Sequence, residues 1–156
     1  PPAYGKYHYD GHRNCNFSCS PEETRKLNGI CPICKKPMII GVDYRVEEIA
    51  KMEKGFKPKN AKPFYWLIPL HELISFRFDI GLSSKKAWAV YNSLIENFGN
   101  ELDVLLKVSK EEMLVKKFDD GLVDIILKNR EGKLKVKPGY DGTYGEIVME
   151  EQKKLF

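Results

Sequence analysis

All four cysteines of this 156-residue chain fall within one stretch, NCNFSCSPEETRKLNGICPIC, residues 14–34. Cys15, Cys19, Cys31 and Cys34 read as C-x3-C-x11-C-x2-C. Two disulfides would need an oxidising compartment, which nothing in the sequence indicates. Structural free thiols scatter through a core rather than pair. Zinc accounts for the spacing. Each short pair lets two thiolates converge on one side of a tetrahedral ion, and CPIC is the tight knuckle that turns backbone N–H groups towards sulfur. Gly29 supplies a turn in the connecting loop. Four cysteines fill the tetrahedron, so the expected zinc (one Zn2+, held by all four) is structural, and its binding energy becomes folding energy.

Just upstream, YGKYHYDGHRN, residues 4–14, interleaves Lys6, Tyr7, Tyr9, His12 and Arg13. Such a mixture suits nucleic acid, with rings stacking on bases and cations pairing with phosphates. Composition equally allows tyrosines that pack on the metal module and histidines bonded locally. With four cysteines already satisfying zinc, His8 and His12 are not needed as ligands. A second dense motif is VKPGYDGTYG, residues 136–145. Its three glycines permit close backbone approach, and Tyr140 and Tyr144 could stack on a base or pack inward in a β-hairpin loop. It lacks the Lys-Ser/Thr that would make it a P-loop. The lysines available for phosphate are Lys57, Lys59 and Lys62 in one segment and Lys135 and Lys137 in another.

These motifs need elements to hold them. Met38 to Val42 reads as a short strand and Val46 to Met52 as a short amphipathic helix. EKGFKPKNAKPF, residues 53–64, is a Lys/Pro/Gly-rich connector. Beyond it the chain reads helical. One helix opens at Pro69. The next has a cap at Ser83 or Ser84, an apolar stripe of Ala87, Trp88, Tyr91, Leu94, Ile95 and Phe98, and an end at Gly99. Ser109 and Glu112 form a capping box, a further helix covers about Leu122 to Lys128, and strands follow at Leu134 to Lys137 and Glu146 to Met149. The expected fold is α+β: a metal-binding module over 1–52, a linker over 53–64, a mostly helical domain over 65–149 carrying the glycine-rich loop and a β-hairpin, and a tail over 150–156. The order helix, glycine turn, helix resembles helix-hairpin-helix modules, although Asp119 and Asp120 beside Gly121 would repel a phosphate.

Hydrophobic residues at 42% and charged residues at 31% allow a buried core in a soluble chain. No apolar run reaches the roughly 20 residues needed to span a bilayer, and Pro1 to Tyr4 lack the features of a signal peptide. A start without Met points to a processed chain or a fragment. The net charge of +4 permits a polyanionic partner without requiring one. Abundant Lys and Glu with a single Gln lean towards a thermophile.

In their order, YGKYHYDGHRNC, the four cysteines, IGVDYRVEEIA and NREGKLKVKPGYDGTYGE resemble the region that follows the metal-dependent PHP domain in the endonuclease Q family. The likeness runs from Tyr4 to about Val148. It implies an archaeal or bacterial, cytoplasmic DNA-repair enzyme that nicks 5′ of deaminated bases (uracil, hypoxanthine, xanthine) or abasic sites. It also implies that this region grips DNA, next to a preceding PHP domain that carries the catalytic metals. His8, His12 and His71 do not reproduce the PHP ligand pattern, so no catalytic residue is expected here. A zinc-stabilised module for a protein partner is the competing class. At the end of the chain, Gln152, Leu155 and Phe156 have the spacing of a sliding-clamp peptide, in which apolar side chains fill a pocket and the glutamine a polar notch.

Overall fold

Polar, glycine-rich sequence at both ends and apolar periodicity between them sort the residues into two units. The computed structural model describes residues 1–148. One unit is Pro1–Pro63 together with the residues from Lys135, and the other is Phe64–Leu134. Gln152, Leu155 and Phe156 lie outside the described residues.

In the first unit, β1 (Asp10–His12) pairs antiparallel with β2 (Phe17–Cys19), so that Asp10 faces Cys19 and His12 faces Phe17. A single 3₁₀ turn, Arg13–Cys15, joins them. Helix α1 (Pro21–Lys26) starts where Ser20 accepts the Glu23 N–H and Pro21 takes the first helical position. Glu22 and Glu23 in its first turn, with Arg25 and Lys26 in its last, complement the helix dipole. Helix α2 (Val42–Ile49) is tied to α1 by an Arg25–Glu47 ion pair at 2.9 Å. It begins at Val42 rather than Val46, and the strand expected before it is reduced to isolated bridges at Pro37 and Ile39. β3 (Lys135–Lys137) and β4 (Glu146–Val148) form the hairpin.

That hairpin departs from the expected division. Residues from Lys135 belong with the N-terminal module rather than with the helices. The loop between β3 and β4 is laced to the chain's beginning through backbone: Tyr9 N–H donates to Gly139 O at 2.9 Å, Gly139 N–H to Ala3 O at 2.9 Å and Gly145 N–H to Tyr4 O at 3.1 Å. A Cβ on Gly139 would collide with Gly5 O, so only glycine allows the approach. Main-chain pairing of this kind leaves no periodicity in the side chains.

The second unit is the helical part: α3 (Leu70–Phe78), α4 (Lys85–Phe98), α5 (Glu101–Leu106), α6 (Lys110–Val115) and α7 (Asp120–Arg130). Side-chain caps set the boundaries. Ser84, Asn100, Ser109 and Asp119 each accept a backbone N–H of the first turn, and Ser109 with Glu112 completes a capping box. Leu73, Ile74, Leu94, Met113, Leu122 and Ile126 are among its fully buried side chains. Buried Asn129 exchanges two 3.0 Å bonds with the Ile68 backbone, and the Arg130 guanidinium donates to the carbonyls of Val104, Leu105 and Val108. The α+β expectation therefore holds. Within α4, Ala87 and Leu94 are buried as the period requires, but Trp88 stays 45% exposed and stacks on His71. Gly121 lies inside α7 rather than in a turn, and a Cβ there would strike Arg77. Among the described residues no helix is long and apolar enough to cross a membrane.

Candidate metal centre and nucleic-acid interface

The 3₁₀ turn decides the metal site. Side chains at i and i+3 eclipse in such a turn, which places His12, at its N-cap, on the same side as Cys15. Cys31 and Cys34 are likewise three apart in the CPIC knuckle. The ligand atoms of His12, Cys15, Cys31 and Cys34 all lie within 4.8 Å of one another. Around a tetrahedral ion with ~2.3 Å metal–sulfur bonds, sulfurs stand ~3.8 Å apart, so the group fits a metal ion. His12 Nδ1 is 3.1 Å from Cys34 Sγ, which identifies the ring nitrogen that faces the sulfurs.

Electrostatics at the centre support this. Burial pushes the Cys31 thiol up, but the backbone N–H groups of Cys34 and Ile33 and the side chains of His12 and Cys34 outweigh it and draw the pKa down to about 6. Cys15 is pushed up to about 11, by burial first and then by hydrogen bonding to Cys34 and Cys31. A metal ion binds thiolates, so its binding would release the proton of a thiol such as Cys15.

Cys19 does not join the four. It ends β2, is 4% exposed, and packs with Cys31 and Met38. Its Sγ lies 3.2 Å from Thr24 Oγ1, while that hydroxyl donates its one proton to Ser20 O. Cys19 Sγ is thus engaged with Thr24, and it is not among the ligand atoms that lie within 4.8 Å of one another. Burial, the first cause, raises its pKa, as it does that of Cys15. The residues the structure brings together follow H-x2-C-x15-C-x2-C, with His12 standing where the expected C-x3-C-x11-C-x2-C set has Cys19. The signal was legible: His12–Cys15 repeats the i, i+3 spacing of Cys31–Cys34, whereas Cys15–Cys19 does not.

The residues expected to meet DNA divide by burial. Tyr140 is 5% exposed and bonded through its hydroxyl to Asn16 Oδ1 at 2.9 Å. Its ring lies against Gly11, where a Cβ would collide with it. Of the two readings open for Tyr140, stacking on a base or packing inward, the structure places it inward. Tyr9 is half-buried and stacks on His8 at 5.4 Å between centroids. Lys6, Tyr7, Arg13 and Tyr144 remain exposed and are gathered in one place by the laced loop, Gly142 N–H donating to Lys6 O at 2.9 Å and Arg13 N–H to Asp141 Oδ2 at 2.6 Å. Lys135 and Lys137 are exposed on β3, with only Val136 between them turned inward. Lys57, Lys59 and Lys62 are exposed in a connector without regular structure. In the second unit, Asp119 fills the start of α7. Its carboxylate accepts the Leu122 N–H at 2.8 Å and pairs with Arg77 at 2.7 Å, so a negative charge already occupies that helix start.

The family described as the MJ0043 C-terminal domain matches residues 69–133. The uncharacterised protein MJ0043 of Methanocaldococcus jannaschii is 34% identical over 154 residues, 97% of this chain and 19% of that protein. Two solved structures are similar over 97% of this chain and 37% of theirs, each at 31% identity. One is the lesion-specific endonuclease PfuEndoQ from Pyrococcus furiosus, with a TM-score of 0.82. The other is endonuclease Q in complex with a 27-mer duplex substrate carrying an abasic lesion at the active site, with a TM-score of 0.78. The chain spans about a fifth of the length of the curated relative it matches. The resemblance read from the motifs therefore extends over nearly the whole fold.

Proposed function

We propose that this chain is the DNA-gripping part of a lesion-specific DNA-repair endonuclease, stapled by one structural zinc on His12, Cys15, Cys31 and Cys34. The observation that carries the reading is the match to endonuclease Q over both units, at an identity well above what fold alone requires. The exposed cations Lys6, Arg13, Lys57, Lys59, Lys62, Lys135 and Lys137 give it a means of holding phosphate. The substrate is a duplex bearing a deaminated base or an abasic site. The cut itself belongs to a preceding PHP domain, and the enzyme works in the cytoplasm. The tail residues Gln152, Leu155 and Phe156 would carry it to a sliding clamp.

Duplex binding measured against salt tests this. Each phosphate neutralised adds about −0.9 to the log–log slope, so Arg13→Ala, Lys135→Ala and Lys137→Ala together flatten the slope by about 2 to 3. An unchanged slope makes these side chains a solvated face only. One feature favours the competing reading: α2 buries no residue and exposes Val42, Val46 and Ile49 on one stripe, as a protein-docking helix does. Salt-independent affinity for DNA, or none, turns the assignment to that side.

A further inference from the structure

We propose that Lys6, Tyr7 and Tyr144 form a seat for one unpaired nucleotide base, an inference that rests on the DNA-gripping reading above. The two tyrosines come from opposite ends of the chain and are 46% and 63% exposed. The Lys6 ammonium lies 5.7 Å from the Tyr7 ring centroid and 5.6 Å from that of Tyr144. One cation is thus within cation–π reach of two open aromatic faces. Exposed tyrosines normally lie along their own surface. Here the lacing of residues 138–145 onto residues 3–9 sets a pair of them around a single charge.

The floor of the seat is glycine. Gly142 has φ +85°, and a Cβ on it would lie 3.4 Å from Arg13 Nη1 and 3.6 Å from Tyr7 Oη. A side chain there would fill the space between guanidinium and phenol. Asp141 accepts the Arg13 backbone N–H at 2.6 Å, and Lys6 and Arg13, both exposed, supply the cations for a phosphate. A nucleobase has π faces for the rings and brings that phosphate with it. Within a paired duplex those faces are covered by neighbouring bases. Only an unpaired or extruded base offers them, and stacking of this kind tolerates any base identity.

The full chain is titrated onto a duplex with one unpaired 2-aminopurine and onto the same duplex fully paired, with anisotropy for affinity and 2-aminopurine emission for stacking. The expected result is quenching on binding and a preference for the unpaired site of roughly fivefold to a hundredfold, the range for stacking one base. Tyr7→Ala and Tyr144→Ala each lose roughly fivefold or more of the preference, together with the quench. Tyr7→Phe and Tyr144→Phe retain both, and retained zinc reports that the alanine variants are folded. Lys135→Ala with Lys137→Ala weakens binding to both duplexes alike and leaves the preference. Preference and quench that survive both alanine changes place the base elsewhere and overturn the seat. Equal binding of the two duplexes by the unaltered chain also overturns the seat while leaving DNA binding standing. Binding to neither overturns both.

Discussion

The two units reach stability by opposite means. Phe64–Leu134 has a true apolar core, with caps at the starts of α4 to α7 and buried polar groups that are paired, as Asn129 and Arg130 are. In the other unit the described buried apolar residues are Cys19, Cys31, Met38, Tyr140 and Ile147, two of them cysteines. Its elements are three-residue strands and short helices, and one buried carboxylate oxygen, Asp10 Oδ2, has no partner in the protein. Chain entropy of roughly 1–2 kcal/mol per residue is not offset by so thin a core. Main-chain lacing, and the metal ion proposed above, would supply what packing does not. Metal dependence should therefore stop at the boundary between the units.

Metal loss is the harshest test of this contrast. Chelation, or Cys31→Ser, removes a ligand set worth about 10 kcal/mol or more of folding free energy. We expect NMR cross-peaks of residues 1–63 and 135–148 to collapse while those of Phe64–Leu134 and most helical circular dichroism persist. The reverse experiment is Leu73→Ala, which opens a cavity in the helical core and costs about 2–5 kcal/mol. It should lower the denaturant midpoint of that unit and leave the metal content at one equivalent.

Asp119 gives a smaller effect, with a defined pH dependence. Burial would raise its pKa, but the Leu122 N–H and the Arg77 guanidinium outweigh this and hold the carboxyl below its usual range. A depressed folded-state pKa means that the stabilisation is full above the unfolded pKa and is lost as pH falls through the folded one. Asp119→Ala should cost about 1 kcal/mol at neutral pH, as loss of an N-cap does, and the difference from the unaltered chain should close on acidification below about pH 4. The surface-lying ion pair adds little. Smallest of all is the effect of Cys19 on metal. Cys19→Ala should leave zinc stoichiometry unchanged by elemental analysis, whereas His12→Ala should reduce it. Loss of zinc with Cys19→Ala and not with His12→Ala would reinstate the four-cysteine set.

What the sequence made legible follows the same division. In the helical unit local rules agree with tertiary ones: Ser84, the Ser109–Glu112 box and Gly99 mark boundaries that the structure keeps. Helix α5 escaped notice because it is a short segment capped by Asn100 directly after Gly99. Trp88 was misjudged because period identifies a face without saying how wide the buried part of it is. In the metal unit a count of cysteines points to Cys19, whereas the i, i+3 spacing points to His12, and it is His12 that lies with the other three in the structure. Tyr140 looked like Tyr144 in sequence. Only the approach of Gly11 to its ring and the bond to Asn16 separate the two.

The discontinuity of the first unit bears on how the protein is made. Phe64–Leu134 is contiguous, rich in near-neighbour contacts, and can fold as soon as it leaves the ribosome. The unit whose residues flank it in sequence cannot finish. Tyr4 and Tyr9 wait for Gly145 and Gly139, partners synthesised more than a hundred residues later. Closing a loop that long costs only modestly more than closing a short one, and the already folded helical insert shortens the effective loop. During translation the nascent chain carries all four residues of the candidate metal cluster with the glycine clasp still missing, and early capture of a metal would hold the beginning of the chain until its end arrives.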